Sequence, residues 1–210
     1  MPAAPVDDTR QRLLDSAGEV FASRGFRAAT VREICSRAGA NVAAVNYHFG
    51  GKEELYAAVL RYAHRCASER FPDAPAAGNG DPEERLRAWV RTTVGRVYDE
   101  GRPAWHGRLW TREMVEPTPA LDAIVEQGIR PRFAELRSIV KRLLPPRASE
   151  REIWHAAVSV VSQCLFFRHA EPVVRRLNPS QRFRAGELEA FADHVTRFSI
   201  AALRAKRGAR

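Results

Sequence analysis

Cysteine and lysine are both scarce in this 210-residue chain, at three residues each. Cys35, Cys66 and Cys164 are odd in number and far apart, which argues against a disulfide framework and suits a reduced, intracellular setting. Neither a Cys-x-x-Cys nor a His-Glu-x-x-His pattern occurs, and His64-Arg65-Cys66 lacks zinc-ligand spacing. No metal, cofactor or catalytic centre is therefore expected. Residues Met1–Arg10 hold Pro2, Pro5, Asp7 and Asp8 but no apolar core, so they do not read as a secretory leader. A run of about 18 apolar residues is also missing, which excludes a helical membrane span. The expectation is a soluble cytoplasmic protein with no membrane partner.

What is present is a globular balance, with 45% of residues apolar and 28% charged. Lys and Arg outnumber Asp and Glu by 34 to 25, a net charge of +9, and arginine supplies nearly all of the excess. Such a surplus favours a polyanionic partner, nucleic acid or an anionic membrane surface, or reflects Arg-rich codon usage. Residues 9–65 carry nine basic against five acidic side chains, so most of the surplus lies elsewhere. Charge raises the question of DNA without deciding it.

Helical periodicity runs through the whole chain. Leu13, Leu14, Ala17, Val20 and Phe21 make one apolar stripe, with Asp8 or Thr9 placed to cap it and Gly25 to end it. Thr30-Val31-Arg32-Glu33 reads as a capping box opening a short helix with Val31, Ile34 and Ala38 inward, closed by Gly39. Asn41 can cap a third helix, Gly50-Gly51 breaks it, and Lys52-Glu53-Glu54 opens a long fourth with Leu55, Val59 and Leu60 inside. Pro72 to Pro82 is an aperiodic break. Helices are expected again at about 83–98, 105–115 and 121–144, the last kinked or split by Pro131, and at 150–168 and 187–204. Residues 171–186 read as a loop with room for one short helix. With no strand pattern, the fold class is all-α, with about nine helices.

The second and third helices are separated by a short turn containing Gly39, the layout of a helix-turn-helix over about residues 29–48. In the third helix, Val45 faces the core, while Ala43 and Ala44 are small enough to approach base edges and thymine methyls. Asn46 carries an amide able to pair with adenine. Val42, Ala43, Ala44 and Asn46 are the candidate base contacts. Gly50-Gly51-Lys52 is not a nucleotide-binding loop, because it lacks the spacing of a P-loop and follows no strand.

Phe26-x-x-x-Thr30-Val31-x-x-Ile34, Ala38-Gly39-Ala40-Asn41 and Asn46-Tyr47-His48-Phe49-Gly50-Gly51-Lys52-Glu53-Glu54-Leu55-Tyr56 strongly resemble the DNA-binding domain of the TetR/AcrR family. The resemblance covers about residues 9–66, and Tyr47-His48-Phe49 with Lys52-Glu53-Glu54-Leu55 is its most specific part. It implies a homodimeric, ligand-responsive transcription factor, usually a repressor, acting on a palindromic operator. By the same resemblance Thr30, Tyr47, His48 and Lys52 contact DNA phosphates, and Asn41 is assigned to that set. Physical chemistry agrees for Lys52, whose ammonium stands at a helix N-terminus, and for Tyr47 and His48, which can fix register without reading sequence. Phe49 reads mainly as core. The chain departs from many relatives in having Asn41-Val42-Ala43-Ala44 where a Ser/Thr-Lys/Arg-Gly/Pro run is common. The Asn-x-Ala-Ala-x-Asn-Tyr-His-Phe-Gly run, Trp110-x-Arg112-Glu113-Met114-x-Glu116-Pro117-Thr118-Pro119 and Ser162-Gln163-Cys164-Leu165-Phe166 resemble a CerR-like subset of the family.

The domain expectation is an N-terminal three-helix helix-turn-helix domain over 6–66 and a C-terminal ligand-binding and dimerisation domain over 80–206. The resemblance implies an effector pocket in the latter, for which Trp89, Trp105, His106, Trp110, Met114, Phe133, Trp154, His155 and Gln163 are candidates. At helical spacing each of these also reads as plain core, and Arg112 and Glu113 read more readily as partners of neighbouring helices. The helices at 150–168 and 187–204 have more apolar face than one small domain needs to cover. Val158, Val161, Leu165, Phe191, Val195 and Phe198 are the candidate dimer interface, with closure of the monomer's own core as the alternative. Two other classes compete. One is a small helical enzyme using His106, Glu113 or His155; the other is a basic bundle binding RNA or lipid.

Overall fold

A computed structural model describes residues 6–73, 80–98, 105–180 and 185–208. Pro2 and Pro5, the 74–79 part of the expected break and the 181–184 part of the expected loop lie outside the described residues. Eleven α-helices and one π-helical turn make up the regular structure among the described residues, and the fold is all-α. They are α1 (Val6–Ala28), α2 (Val31–Ala38), α3 (Val42–Phe49), α4 (Lys52–Arg70), α5 (Pro82–Tyr98) and α6 (His106–Val115). After them come α7 (Ala120–Ile124), the π turn Val125–Ile129, α8 (Arg130–Leu143), α9 (Glu150–His169), α10 (Glu171–Leu177) and α11 (Ala185–Gly208). No described helix is long and apolar enough to cross a membrane.

The count exceeds nine for two local reasons. The stretch expected at 121–144 is divided, as Pro131 requires, but the irregularity lies just before the proline rather than at it. Pro131 occupies the first turn of α8, where its missing N–H is not needed, and the carbonyls upstream that it cannot serve fall in the π turn. The 171–186 stretch also supplies one true helix, α10, started by Pro172 in its first turn.

The chain forms two compact units. One comprises residues 1–69 and 100–128, the other residues 70–99 and 129–210. In the first, α2 and α3 have eight residues each, too few to persist alone, and burial holds them in place. Leu13, Ala17 and Phe21 of α1, Ile34 of α2, Val45 of α3, and Leu55 and Val59 of α4 are all fully buried in one core. Each of these side chains larger than alanine contributes about 1.5–3 kcal/mol relative to exposure. The Tyr56 ring stands edge-on to Phe21, with centroids 4.8 Å apart, and tilted against Phe26 at 5.0 Å. α6 and α7 join this unit through Trp105, Leu109 and Ile124. Gly18 makes that junction possible: a Cβ there would lie 2.1 Å from the Trp105 indole.

The second unit packs α5, α8, α9 and α11 around Leu86, Val90, Leu136, Ile139, Val140, Ile153, Ala157, Val160 and Val195. α9 begins with a complete capping box, in which Ser149 Oγ accepts from the Glu152 N–H and the Glu152 carboxylate accepts from the Ser149 N–H. Its buried positions Ile153, Ala157, Val160 and Cys164 keep a helical interval and leave a second apolar stripe uncovered.

Candidate nucleic-acid interface

Two caps and one left-handed residue fix α2 against α3. Thr30 Oγ1 accepts from the Glu33 N–H at 3.2 Å and starts α2. The reciprocal half of the expected capping box does not form, because the Glu33 carboxylate instead pairs with Arg24 at 3.0 Å and Arg37 at 3.5 Å. A guanidinium outcompetes a neutral N–H for a carboxylate. Gly39 closes α2 at φ 61°, ψ 39°, with its N–H directed to the Cys35 and Ser36 carbonyls. Asn41 Oδ1 then accepts from the Ala44 N–H at 2.9 Å and starts α3. The Cys35 thiol donates to the Asn41 carbonyl at 3.3 Å, a further tie across the turn.

α3 divides cleanly at 100° per residue. Val42, Ala43, Asn46 and Tyr47 share one exposed arc, and the Tyr47 ring is 80% exposed. Ala44, Val45, His48 and Phe49 share the opposite arc, with Val45 fully buried and Ala44 and Phe49 packed on the core. Ala44, the fourth candidate base contact, is half-buried and packs partly on the core, so it turns less surface to solvent than Val42, Ala43 and Asn46. Among the candidate phosphate contacts, Thr30 and Asn41 use their side-chain oxygens as caps and retain donor groups at the exposed surface. His48 is half-buried, edge-on to Tyr47 at 5.0 Å. Lys52 Nζ lies 4.7 Å from the Phe26 ring centroid and donates to the Arg27 carbonyl at 3.3 Å, contacts that aim the ammonium. Arg10, which sequence reasoning passed over, places its guanidinium 5.2 Å from the Phe49 ring centroid; nothing in its local sequence marks it.

α6 is tied to the same unit by two adjacent side chains. Arg112 donates to the Ala22 carbonyl at 3.0 Å and the Ser23 carbonyl at 2.7 Å. These carbonyls lose their helical partners where Gly25, at φ 78° and ψ 168°, interrupts α1. Glu113 is fully buried and both its carboxylate oxygens are hydrogen-bonded: Tyr56 Oη donates at 2.6 Å, the Thr118 N–H at 2.8 Å and the Thr118 hydroxyl at 2.9 Å. Partnership with neighbouring elements is thus what both residues do. Burial and the Glu113 carboxylate together push the Tyr56 phenol well above the ordinary tyrosine value.

The nine candidate pocket residues fall into both units. Trp105, His106, Trp110 and Met114 belong to the first, Trp89, Phe133, Trp154, His155 and Gln163 to the second. Trp105 and Trp89 are core residues, and the Trp89 Nε1–H donates to the Arg132 carbonyl at 3.2 Å. His106 is buried and Trp110 half-buried, whereas Met114, Trp154 and His155 are exposed. Phe133 packs edge-on to Trp154 at 5.0 Å, and Gln163 donates to the Ser159 carbonyl and the Ser199 hydroxyl. Of the candidate interface residues, Val158 and Phe198 are exposed, while Val161, Leu165 and Phe191 are half-buried. Val195 is corrected: at 1% exposure it closes the protomer's own core. Among the described residues no cluster of three or more His, Cys, Asp or Glu could hold a metal.

Known proteins resemble both halves. Residues 82–203 match the family described as "HTH-type transcriptional dual regulator CecR, C-terminal domain", and residues 13–59 match "Bacterial regulatory proteins, tetR family". The chain is 27% identical to the HTH-type transcriptional dual regulator CecR of Shigella flexneri over 177 residues, 77% of this chain and 76% of that protein. Against the HTH-type transcriptional repressor NicS of Pseudomonas putida it is 27% identical, across 98% of this chain and 95% of that one. The solved structure of a TetR-like transcriptional regulator from Rhodococcus sp. RHA1 shares the fold, with a TM-score of 0.65 over 97% of this chain and 98% of that one at 20% identity. The C-terminal match gives the subset seen in the sequence the name CecR.

Proposed function

Because the chain belongs to the TetR family of DNA-binding transcriptional regulators, with a CecR-type C-terminal domain, we propose that it binds a palindromic operator as a homodimer. α3 lies in the major groove, and a small-molecule effector controls it. The observation that carries this reading is the exposed arc of α3. Val42, Ala43 and Asn46 present small or amide side chains to base edges while Val45 anchors the helix from behind. Thr30, Asn41, Tyr47, His48 and Lys52 hold phosphates on either side, fixing register without reading sequence. The chain works in the cytoplasm, where its DNA is.

Homodimerisation rests on the uncovered stripe of α9 and α11. Trp154, Val158, Val161 and Leu165 recur at intervals of three and four along α9, with Phe198 exposed on α11. Self-pairing of this stripe about a two-fold axis covers it and sets the two α3 helices about 34–36 Å apart, one turn of DNA. In this assignment Trp154 serves the interface rather than the effector site.

Selection of bound sites from random duplexes tests the reading. The expected product is one inverted repeat with half-site centres about 10 base pairs apart. Enrichment of no motif, or of RNA in parallel selection, would remove the operator assignment.

A further inference from the structure

In the second unit, two arginines converge on one carboxylate, and a threonine holds one of them. Arg132 pairs with Asp73 through Nη1 and donates to Thr93 Oγ1 at 2.8 Å through Nη2. Arg96 pairs with the same Asp73 oxygen at 3.3 Å and donates from Nε to the Phe71 carbonyl at 2.8 Å. The two arginine side chains are only 11% and 15% exposed, whereas Asp73 is 50% exposed. The nearby Glu135 is paired with Arg85 at 3.4 Å. Two desolvated cations therefore share one anion that stands half in solvent. Burial pushes both guanidiniums below the ordinary arginine value, with the Glu135 carboxylate opposing the shift at Arg132.

The surroundings are apolar on one side. The Trp89 ring centroid lies 5.4 Å from the Arg132 guanidinium, and the Phe71 ring packs on Gly95, where a Cβ would come within 2.4 Å of it. Phe71 and Asp73 thus present an aromatic ring and a carboxylate together, on three residues that directly follow α4 in the chain. Among the described residues, that stretch is also touched by the Thr92 hydroxyl, 3.5 Å from the Pro72 carbonyl, and by the Arg70 guanidinium, 6.0 Å from the Phe71 ring centroid.

We propose that Arg96, Arg132 and Thr93 form a binding site for an organic carboxylate carrying an aromatic or alkyl group, and that Asp73 fills it from within the chain. A paired guanidinium fork matches a carboxylate, and a second carboxylate added from solution competes with Asp73 rather than joining it. The ligand's apolar portion takes the ground held by Phe71. Since Asp73 is three residues beyond Arg70, the end of α4, exchange of Asp73 for ligand releases the chain that leaves the helix beginning at Lys52. This regulatory consequence rests on the reading of the chain as an effector-controlled regulator.

Calorimetric titration of the full chain without DNA, with 3-phenylpropionate as probe and its neutral amide as control, tests the site. Asp73→Asn removes the internal competitor and is expected to tighten carboxylate binding by about tenfold or more over the unsubstituted protein. Arg96→Gln is expected to abolish binding, and the amide to show none. Thr93→Val deletes the acceptor that orients the Arg132 guanidinium without altering charge and is expected to weaken binding severalfold, a readout that survives if Asp73→Asn fails to fold. Equal affinity of Asp73→Asn and the unsubstituted protein, equal binding of amide and acid, or no heat up to about 10 mM in any folded variant overturns the proposal. Operator affinity with and without the probe is measured separately. Binding without a change in operator affinity keeps the site and removes its effector role, whereas no binding removes the site and leaves the effector reading intact.

Discussion

The Tyr56 phenol donates a 2.6 Å hydrogen bond to the Glu113 carboxylate, joining α4 to α6 inside a buried cluster. The other carboxylate oxygen accepts twice from Thr118, so neutral donors reach both oxygens. Tyr56→Phe leaves one carboxylate oxygen short of a donor and is expected to cost about 1–3 kcal/mol. Glu113→Ala strands three donors and opens a cavity, and is expected to cost more. Urea unfolding at neutral pH measures both; equal stability of Tyr56→Phe and the unsubstituted protein would show that the bond contributes nothing.

Gly18 and Trp105 make a second joint between α1 and the segment opening α6. A side chain at 18 must enter space the indole fills, so Gly18→Val is expected to destabilise by about 1–3 kcal/mol or more. Gly39→Ala is the useful contrast. It meets no neighbour within 4 Å and costs only backbone strain at φ 61°. A larger loss of thermal stability from Gly39→Ala than from Gly18→Val would contradict the packing argument.

Alkaline stability follows from Cys164. Its thiol is fully buried, and burial pushes it up to about 12 from an ordinary 9.0. The unfolded chain therefore loses this proton at lower pH than the folded chain. Stability from this group is complete below pH 9.0 and falls as pH rises towards about 12. Burial raises Tyr56 and Tyr98 in the same direction, so they add to the decline. Cys164→Ala is expected to make the urea midpoint fall less steeply between those values; an unchanged slope would exclude the thiol.

The exposed stripe of α9 and α11 predicts a dissociable dimer. Phe198→Asp places a charge at the centre of an apolar contact and is expected to shift sedimentation from dimer to monomer at micromolar concentration. The same substitution at a solvent-facing position has little effect on folding, and Phe198 is 60% exposed in the protomer. A protein that remains dimeric after Phe198→Asp buries another surface.

Local signals carried most of the fold. Thr30, Gly39, Asn41 and Gly50 each sit where the chain must start or stop a helix, and each acts within four residues of its own position. The inward set Leu13, Ala17, Phe21, Ile34 and Val45 was equally legible because helical spacing alone assigns it a face. Val195 escapes such a reading for the converse reason: a residue at the edge of a stripe goes inward or outward according to what packs there, and Val195 is buried in the protomer. The Asp73, Arg96 and Arg132 cluster left no trace in spacing, since its members come from distant segments. Trp89 and Trp105 looked like pocket residues because size and polarity do not distinguish a lining from a core.

The central claim is that Tyr47 and Lys52 hold phosphates while the exposed arc of α3 reads bases. The most direct measurement is operator affinity of Tyr47→Ala, Lys52→Ala and Asn46→Ala across a range of salt concentrations. Loss of one cationic phosphate contact in each of two subunits should reduce the slope of log affinity against log salt by about 2 for Lys52→Ala, whereas Tyr47→Ala, which removes a neutral donor, should weaken binding to every sequence with little change in slope. Asn46→Ala should keep the slope, weaken the operator by about 1–3 kcal/mol and relax preference at one position of each half-site. Unchanged affinity and slope in both Tyr47→Ala and Lys52→Ala would contradict the account.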